Sequence, residues 1–173
     1  MPIEILTLAD FPGVMAPEES GESFAENARA KAFYYTRVTG ELTVAEDSGL
    51  AIDALGGAPG FESARYGGVH ASYPEKFALI YDALRSKNAL ESAARFVCAV
   101  ALAKEGRMLF ESEGVIEGRI AAAPKGEGGF GYDPIFFYPP FAATLAEAGS
   151  RKSAVSHRGQ AFRALRSFLG SGL

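Results

Sequence analysis

Polar and apolar positions along the chain change period several times, and each change marks an element. The opening "PIEILTLADF" alternates with the period of a short strand, and "PGVMAPEESGE" after it reads as loop. Ser23 with Glu26 three residues later has the spacing of a capping box; the Ala-rich sequence that follows is expected to be helical to about Val38, with Gly40 as its left-handed stop. "ELTVAED" is the next expected strand and ends at the acid pair Glu46 and Asp47, where a Ser-Gly turn begins. "ALGGAPGFESARYGG" is too rich in glycine for a regular element and predicts a long surface loop. A second helix begins near Ser72 and Pro74 and turns Phe77, Ile80, Tyr81 and Leu84 to one side.

Beyond Ala93, "ARFVCAVALA" and "MLFESEGVIEGRIAA", separated by "KEGR", predict a long antiparallel hairpin. "PKGEGGFGYDP" is a glycine-rich loop and "IFFYPP" a short strand. "SHRGQAFRALRSFLG" is a closing helix with Phe162, Leu165 and Leu169 inward. With no tandem repeat or linker, residues 1–173 form one α/β domain around an antiparallel or mixed sheet flanked by helices.

Composition narrows the function classes. Of the 173 residues 48% are hydrophobic, enough for one substantial core, and the net charge of −4 provides no broad basic face for a nucleic acid polymer. A small charged ligand in a local basic pocket remains open. The single cysteine, Cys98, lies in an apolar run, reads as core and excludes an internal disulfide, which suits a reducing cytoplasm. No apolar run approaches the roughly 20 residues of a membrane span.

Several segments carry candidate chemistry. Asp47 and Glu46 stand where open α/β sheets place ligands, and successive strand side chains face opposite ways, so one acid alone need enter a cleft. Both acids capping the following turn is the alternative. Glu18 and Glu19 form a second acidic pair ahead of the first helix, suited to capping or to sharing a hard cation such as Mg²⁺ with the first pair. Zinc is disfavoured with two histidines and one cysteine. Asn27 and Lys31, four apart, share a helix face, either solvated or turned toward Asp47. In the glycine-rich loop Phe130 and Tyr132 can stack on a base, and Asp133, extended before Pro134, can accept hydrogen bonds from a purine edge. "KSAVSHRG" sets Lys152, Ser156, His157 and Arg158 at a helix N-terminus, where free N–H groups and cations bind anions or carbonyl oxygens, or where Ser156 is an N-cap among solvated charges.

Taken together, "SFAENARAKA", "AEDSGLAIDALGGAPGFESARYGG", "GGFGYDPIFF" and "KSAVSHRGQA", in this order, resemble the inosine/xanthosine triphosphate pyrophosphatase family over the chain from Ile3 to the last helix. The resemblance implies an elongated, bent mixed sheet flanked by helices, in two lobes with a central cleft, and usually a homodimer. It implies Mg²⁺-dependent hydrolysis of deaminated purine nucleoside triphosphates (ITP, dITP, XTP) to monophosphate and pyrophosphate. By position, Asp47 matches the catalytic carboxylate and a metal ligand, Glu19 a metal-binding glutamate, Lys31 a triphosphate contact, and Ser48 a nucleotide contact. Phe130, Gly131, Tyr132 and Asp133 match the segment that holds the base, while Lys152, His157 and Arg158 match residues that read the 6-oxo group and its surroundings. Family members begin with a strand and a Thr/Ser-x-Asn-x-x-Lys loop; nothing of that pattern precedes Ile3, so the first strand and helix are expected to be absent here. A nucleotide-binding or dimer-partner protein of weak activity is the alternative this departure leaves.

Overall fold

The computed structural model describes residues 4–171. Five strands, β1 (Thr43–Ile52), β2 (Ala93–Lys104), β3 (Arg107–Ile120), β4 (Phe136–Tyr138) and β5 (Ala143–Thr144), pair in chain order, and every pairing is antiparallel. Of the antiparallel and mixed sheets expected, the antiparallel one is formed. The β2–β3 hairpin turns at Glu105 and Gly106, both at positive φ (49° and 75°), the geometry that two-residue hairpin loops require.

Four helices flank the sheet: α1 (Phe24–Thr39), α2 (Tyr73–Ser86), a single turn α3 (Lys152–Val155) and α4 (His157–Gly170). Ser23 accepts from the Glu26 amide and Gly40 is left-handed, so α1 starts and stops where its caps predict; the Glu26 side chain reaches the Glu22 amide rather than the cap's own. On one face of the sheet α1 packs through small residues, Ala28 and Ala32 meeting Ala99, Ala101 and Ala103, with Phe24 and Met108 against the same cluster.

The other face carries two clusters. Phe77, Ile80, Tyr81 and Leu84 of α2 cover Leu50, Ile52 and Phe96, whereas Ala161 and Leu165 of α4 cover Cys98, Val100 and Leu102. Leu169 packs at the rim of the α4 cluster, but Phe162, one turn into α4, is exposed rather than inward.

Two expectations about strands are corrected. Residues 4–7 form no strand and Leu8–Asp10 is a 3₁₀ turn, because Thr7 and Asp10 bond to each other (2.7 and 3.0 Å) and no described strand pairs with the segment; residues 2 and 3 lie outside the described residues. β1 does not stop at the acids: it runs on through Ser48 and Gly49, paired with Cys98 and Val97, so Glu46 and Asp47 stand mid-strand. Beyond it, Leu50 donates to Ser63 Oγ (2.9 Å) and Ile52 to the Ala58 carbonyl (3.2 Å), so the glycine-rich loop covers the outer edge of β1 at its far end.

Candidate active site

The site grows from adjacent residues of β1. Because side chains alternate across a strand, Asp47 looks toward α1 and Glu46, with Ser48, toward α4.

On the α1 side, the Gly21 amide donates to Asn27 Oδ1 (2.9 Å), which ties the acidic segment to the helix. Asn27, only 1% exposed, then donates to Asp47 Oδ2 (3.2 Å). One turn on, Lys31 Nζ lies 3.1 Å from Asp47 Oδ1 and 2.8 Å from Glu19 Oε1. Burial pulls the Lys31 ammonium down, yet Glu19 and Asp47 outweigh it and hold its pKa above the usual value. Burial dominates at Asp47, whose pKa is raised despite Lys31 and Asn27. Glu18, the other acid of its pair, is exposed.

Arg65, not singled out by sequence, also reaches Glu19 (3.4 Å). Its loop is fixed by Ser63 Oγ, by buried Lys76 donating to the Ala64 carbonyl (2.6 Å), and by a close approach to Gly49, where a Cβ would strike Ser63, the Gly60 carbonyl and the Phe24 ring. The only sequence signal was a lone cation in a glycine-rich loop, and its partner lies 46 residues away. Among the described residues no three His, Cys, Asp or Glu side chains converge as a metal cluster. Glu19 and Asp47 do converge on one cation, the Lys31 ammonium.

On the α4 side a cavity of about 430 Å³, within the roughly 300–1,000 Å³ range of small-molecule pockets, is lined by Phe130, Lys152, His157, Arg158 and Phe162, among others. Phe130 is 58% exposed, with Lys152 Nζ 4.2 Å and Arg158 Cζ 5.2 Å from its ring centre. Ser156 caps α4 by accepting from the Gly159 amide (3.0 Å). His157 stacks on Phe96 (centroids 4.9 Å apart), and its buried Nδ1 has no partner. Burial, then Arg158 and Lys152, push its pKa down to about 4, so the imidazole is neutral at pH 7. Arg158 donates to Glu46 Oε1 (2.9 Å) and to Ser48 Oγ (3.1 Å).

Two residues expected to meet the base do not face the cavity. Asp133 is 2% exposed; it accepts from the Phe130 amide (2.8 Å) and pairs with Lys152, so it supports the cavity wall from behind. Tyr132 is buried against Tyr73 and Phe77 and donates to the Ser63 carbonyl (2.7 Å), because Gly131, at φ 64°, turns the loop so that Phe130 faces out and Tyr132 in. Cys98 is core, as read, with the addition that its thiol donates to Glu46 Oε2 (3.0 Å).

A family model described as the Ham1 family matches residues 1–168. The chain belongs to the Ham1 family. It is 50% identical to the dITP/XTP pyrophosphatase of Gloeobacter violaceus, over 89% of this chain and 77% of that one. The dITP/XTP pyrophosphatase of Thermus thermophilus is 47% identical, over 93% and 77%. Among solved structures a HAM1 protein from Coxiella burnetii superposes with a TM-score of 0.94 at 39% identity, covering 99% of this chain and 88% of that one. The resemblance drawn from the four motifs is therefore borne out for family and fold.

Proposed function

We propose that this Ham1 protein hydrolyses dITP, XTP and ITP to the monophosphate and pyrophosphate. The observation that carries the reading is the Glu46–Asp47 dipeptide, one carboxylate joining Lys31 and Glu19 on the α1 face and the other joining Arg158 beside the cavity. The relatives named dITP/XTP pyrophosphatase support the same substrate class.

Each side suits its part of the molecule. Lys31, held charged, meets phosphate oxygens, and Asp47, buried and fixed by Asn27 and Lys31, orients the attacking water and accepts its proton. Glu19 and Asp47 fit Mg²⁺, which takes one or two carboxylates and completes its shell with water and phosphate oxygens. When bound there, Mg²⁺ offsets the charge that develops on those oxygens.

The base enters the cavity against Phe130. Lys152 and Arg158 donate to the 6-oxo group of hypoxanthine or xanthine; the 6-amino group of adenine would set donor against donor, a mismatch of about 1–3 kcal/mol, or roughly 10- to 100-fold. Among the described residues no helix is long and apolar enough to cross a membrane. A cytoplasmic homodimer belongs to this proposal, on the strength of the resemblance and of a lone, reduced cysteine. The weak-binding alternative has no support in an Asp47–Lys31–Glu19 constellation already assembled.

The test is pyrophosphate release from dITP, XTP, ITP and ATP with Mg²⁺ and with chelator. Pyrophosphate released from the first three far faster than from ATP, and only with the metal, is expected. Orthophosphate as the direct product would place the cut at the terminal phosphate and overturn the reading.

A further inference from the structure

Glu46 matches no residue to which the resemblance assigns a role, yet it is bound on all sides. Its carboxylate accepts from Arg158 Nε (3.4 Å) and Nη2 (2.9 Å) and from the Cys98 thiol (3.0 Å), so both oxygens are engaged and the group is fixed in the sheet. Ser48 Oγ accepts from the same Nη2 (3.1 Å), and the Phe130 ring lies against the guanidinium. With Nε and Nη2 committed to β1, Nη1 has no partner among the described residues. It is the donor left for a ligand in the cavity that Arg158 lines.

We infer that Glu46 is a positioning residue for base selection: it clamps one edge of the Arg158 guanidinium to β1 so that the other meets the 6-oxo oxygen. The inference rests on the proposed activity and deepens it. An arginine side chain that is more than a third exposed has many rotamers, and a donor held in place discriminates between acceptor and donor partners better than one free to swing aside. Adjacent acids on one strand thereby divide the work. Asp47 acts on the phosphate side for every base, and Glu46 acts through Arg158 on one kind of base.

The test is a double-mutant cycle with Glu46→Gln and Arg158→Ala, reading kcat and KM for dITP and for ATP. Glutamine keeps the shape but, since each carboxylate oxygen accepts from Arg158, its NH₂ must face one of the Arg158 donors, so the two-point clamp is broken with little change in volume. Glu46→Gln is expected to narrow the dITP-over-ATP ratio of kcat/KM about tenfold, mainly through KM for dITP, and the double variant to match Arg158→Ala within about twofold. A merely structural role would depress both substrates together and leave the ratio alone. An unchanged ratio, or losses that multiply in the double variant, would overturn the inference. If Glu46→Gln melts far below the wild type, Glu46→Asp, which keeps the charge on a shorter stem, carries the same cycle and the same criteria.

A wild type that releases no pyrophosphate from dITP would overturn the proposed activity instead. The cycle is then read by equilibrium binding of inosine monophosphate, which carries the base without the triphosphate. Weaker binding in Glu46→Gln, absent once Arg158 is removed, upholds the clamp; unchanged binding, or none by the wild type, overturns it.

Discussion

The Tyr132 hydroxyl donates a 2.7 Å hydrogen bond to the Ser63 carbonyl, and in doing so ties the loop beside the cavity to the loop that carries Arg65 to Glu19. A residue expected to stack on the base is instead a strut between the two sides of the site. Burial raises its pKa, so the phenol stays protonated and remains a donor.

Removing that donor should therefore act on stability. Tyr132→Phe leaves a buried carbonyl unpaired, at about 1–3 kcal/mol, and should lower the melting temperature by roughly 2–10 °C while the preference among bases stays put. Phe130→Ala should do the opposite, raising KM for dITP with little change in melting temperature, since its ring is largely exposed. Steady-state kinetics and thermal melts of the pair check this, and a Tyr132→Phe variant that loses base preference without losing stability would restore the stacking role.

His157 gives the fold a pH dependence of known sign. Its pKa falls from 6.5 to about 4 on folding, so the unfolded chain takes up the proton first as the solution is acidified. The stability it contributes is fully present above pH 6.5, declines as pH falls toward 4, and is worth about 3 kcal/mol over that window. Urea unfolding of the wild type between pH 8 and 4 should show the decline, and His157→Gln should lose that part of it. An identical decline in the variant would mean that other groups cause it.

Gly129 has φ 73°, and a Cβ there would run into the Asp133 carboxylate. Gly129→Ala should strain the loop by about 1–2 kcal/mol and push Asp133 off Lys152 and off the Phe130 amide. The expected signature is a raised KM for dITP with kcat largely kept, because Asp47 and Lys31 lie on the other face of β1. A loss confined to kcat would show that this loop serves the phosphate side.

Much of this was legible, and the parts that were not share a physical cause. Local signals held where the determinant is local: Ser23 and Gly40 bound α1, the apolar face of α2 is buried, and Glu105-Gly106 turns the hairpin. The continuation of β1 through Asp47, Ser48 and Gly49 was not legible, because its partners Ala99, Cys98 and Val97 lie about 50 residues away and strand pairing overrides a Ser-Gly turn. At the site, helix spacing put Asn27 and Lys31 on one face, while the meeting of Lys31 with Asp47 and Glu19 needed the packing of α1 on β1. Periodicity cannot say which loop residue points inward, so Tyr132 and Asp133 were placed on the wrong side of the wall, and the pairing of Arg158 with Glu46 needed the sheet.

Asp47→Asn separates the chemical step from folding. The substitution keeps the shape but takes one negative charge from the Lys31 ammonium and from any metal beside it, so kcat should fall at least about 10²-fold for dITP, XTP and ITP alike. Because folding raises the pKa of Asp47, the stability linked to this group is full below about 3.8 and is lost as pH climbs through the higher folded value; at pH 7 its charge works against the fold. In chelator the variant should consequently melt no lower than the wild type, with Lys31 still paired to Glu19. Adding millimolar Mg²⁺ should raise the melting temperature of the wild type and leave that of the variant nearly unchanged, since a ligand that binds only the folded form stabilises it by mass action. The pattern differs from that of Glu46→Gln, whose losses are expected in KM and in one class of base. A variant that keeps turnover within tenfold of the wild type, or that responds to Mg²⁺ as the wild type does, would remove Asp47 from the reacting centre and leave Glu19 and Lys31 to be tested in its place.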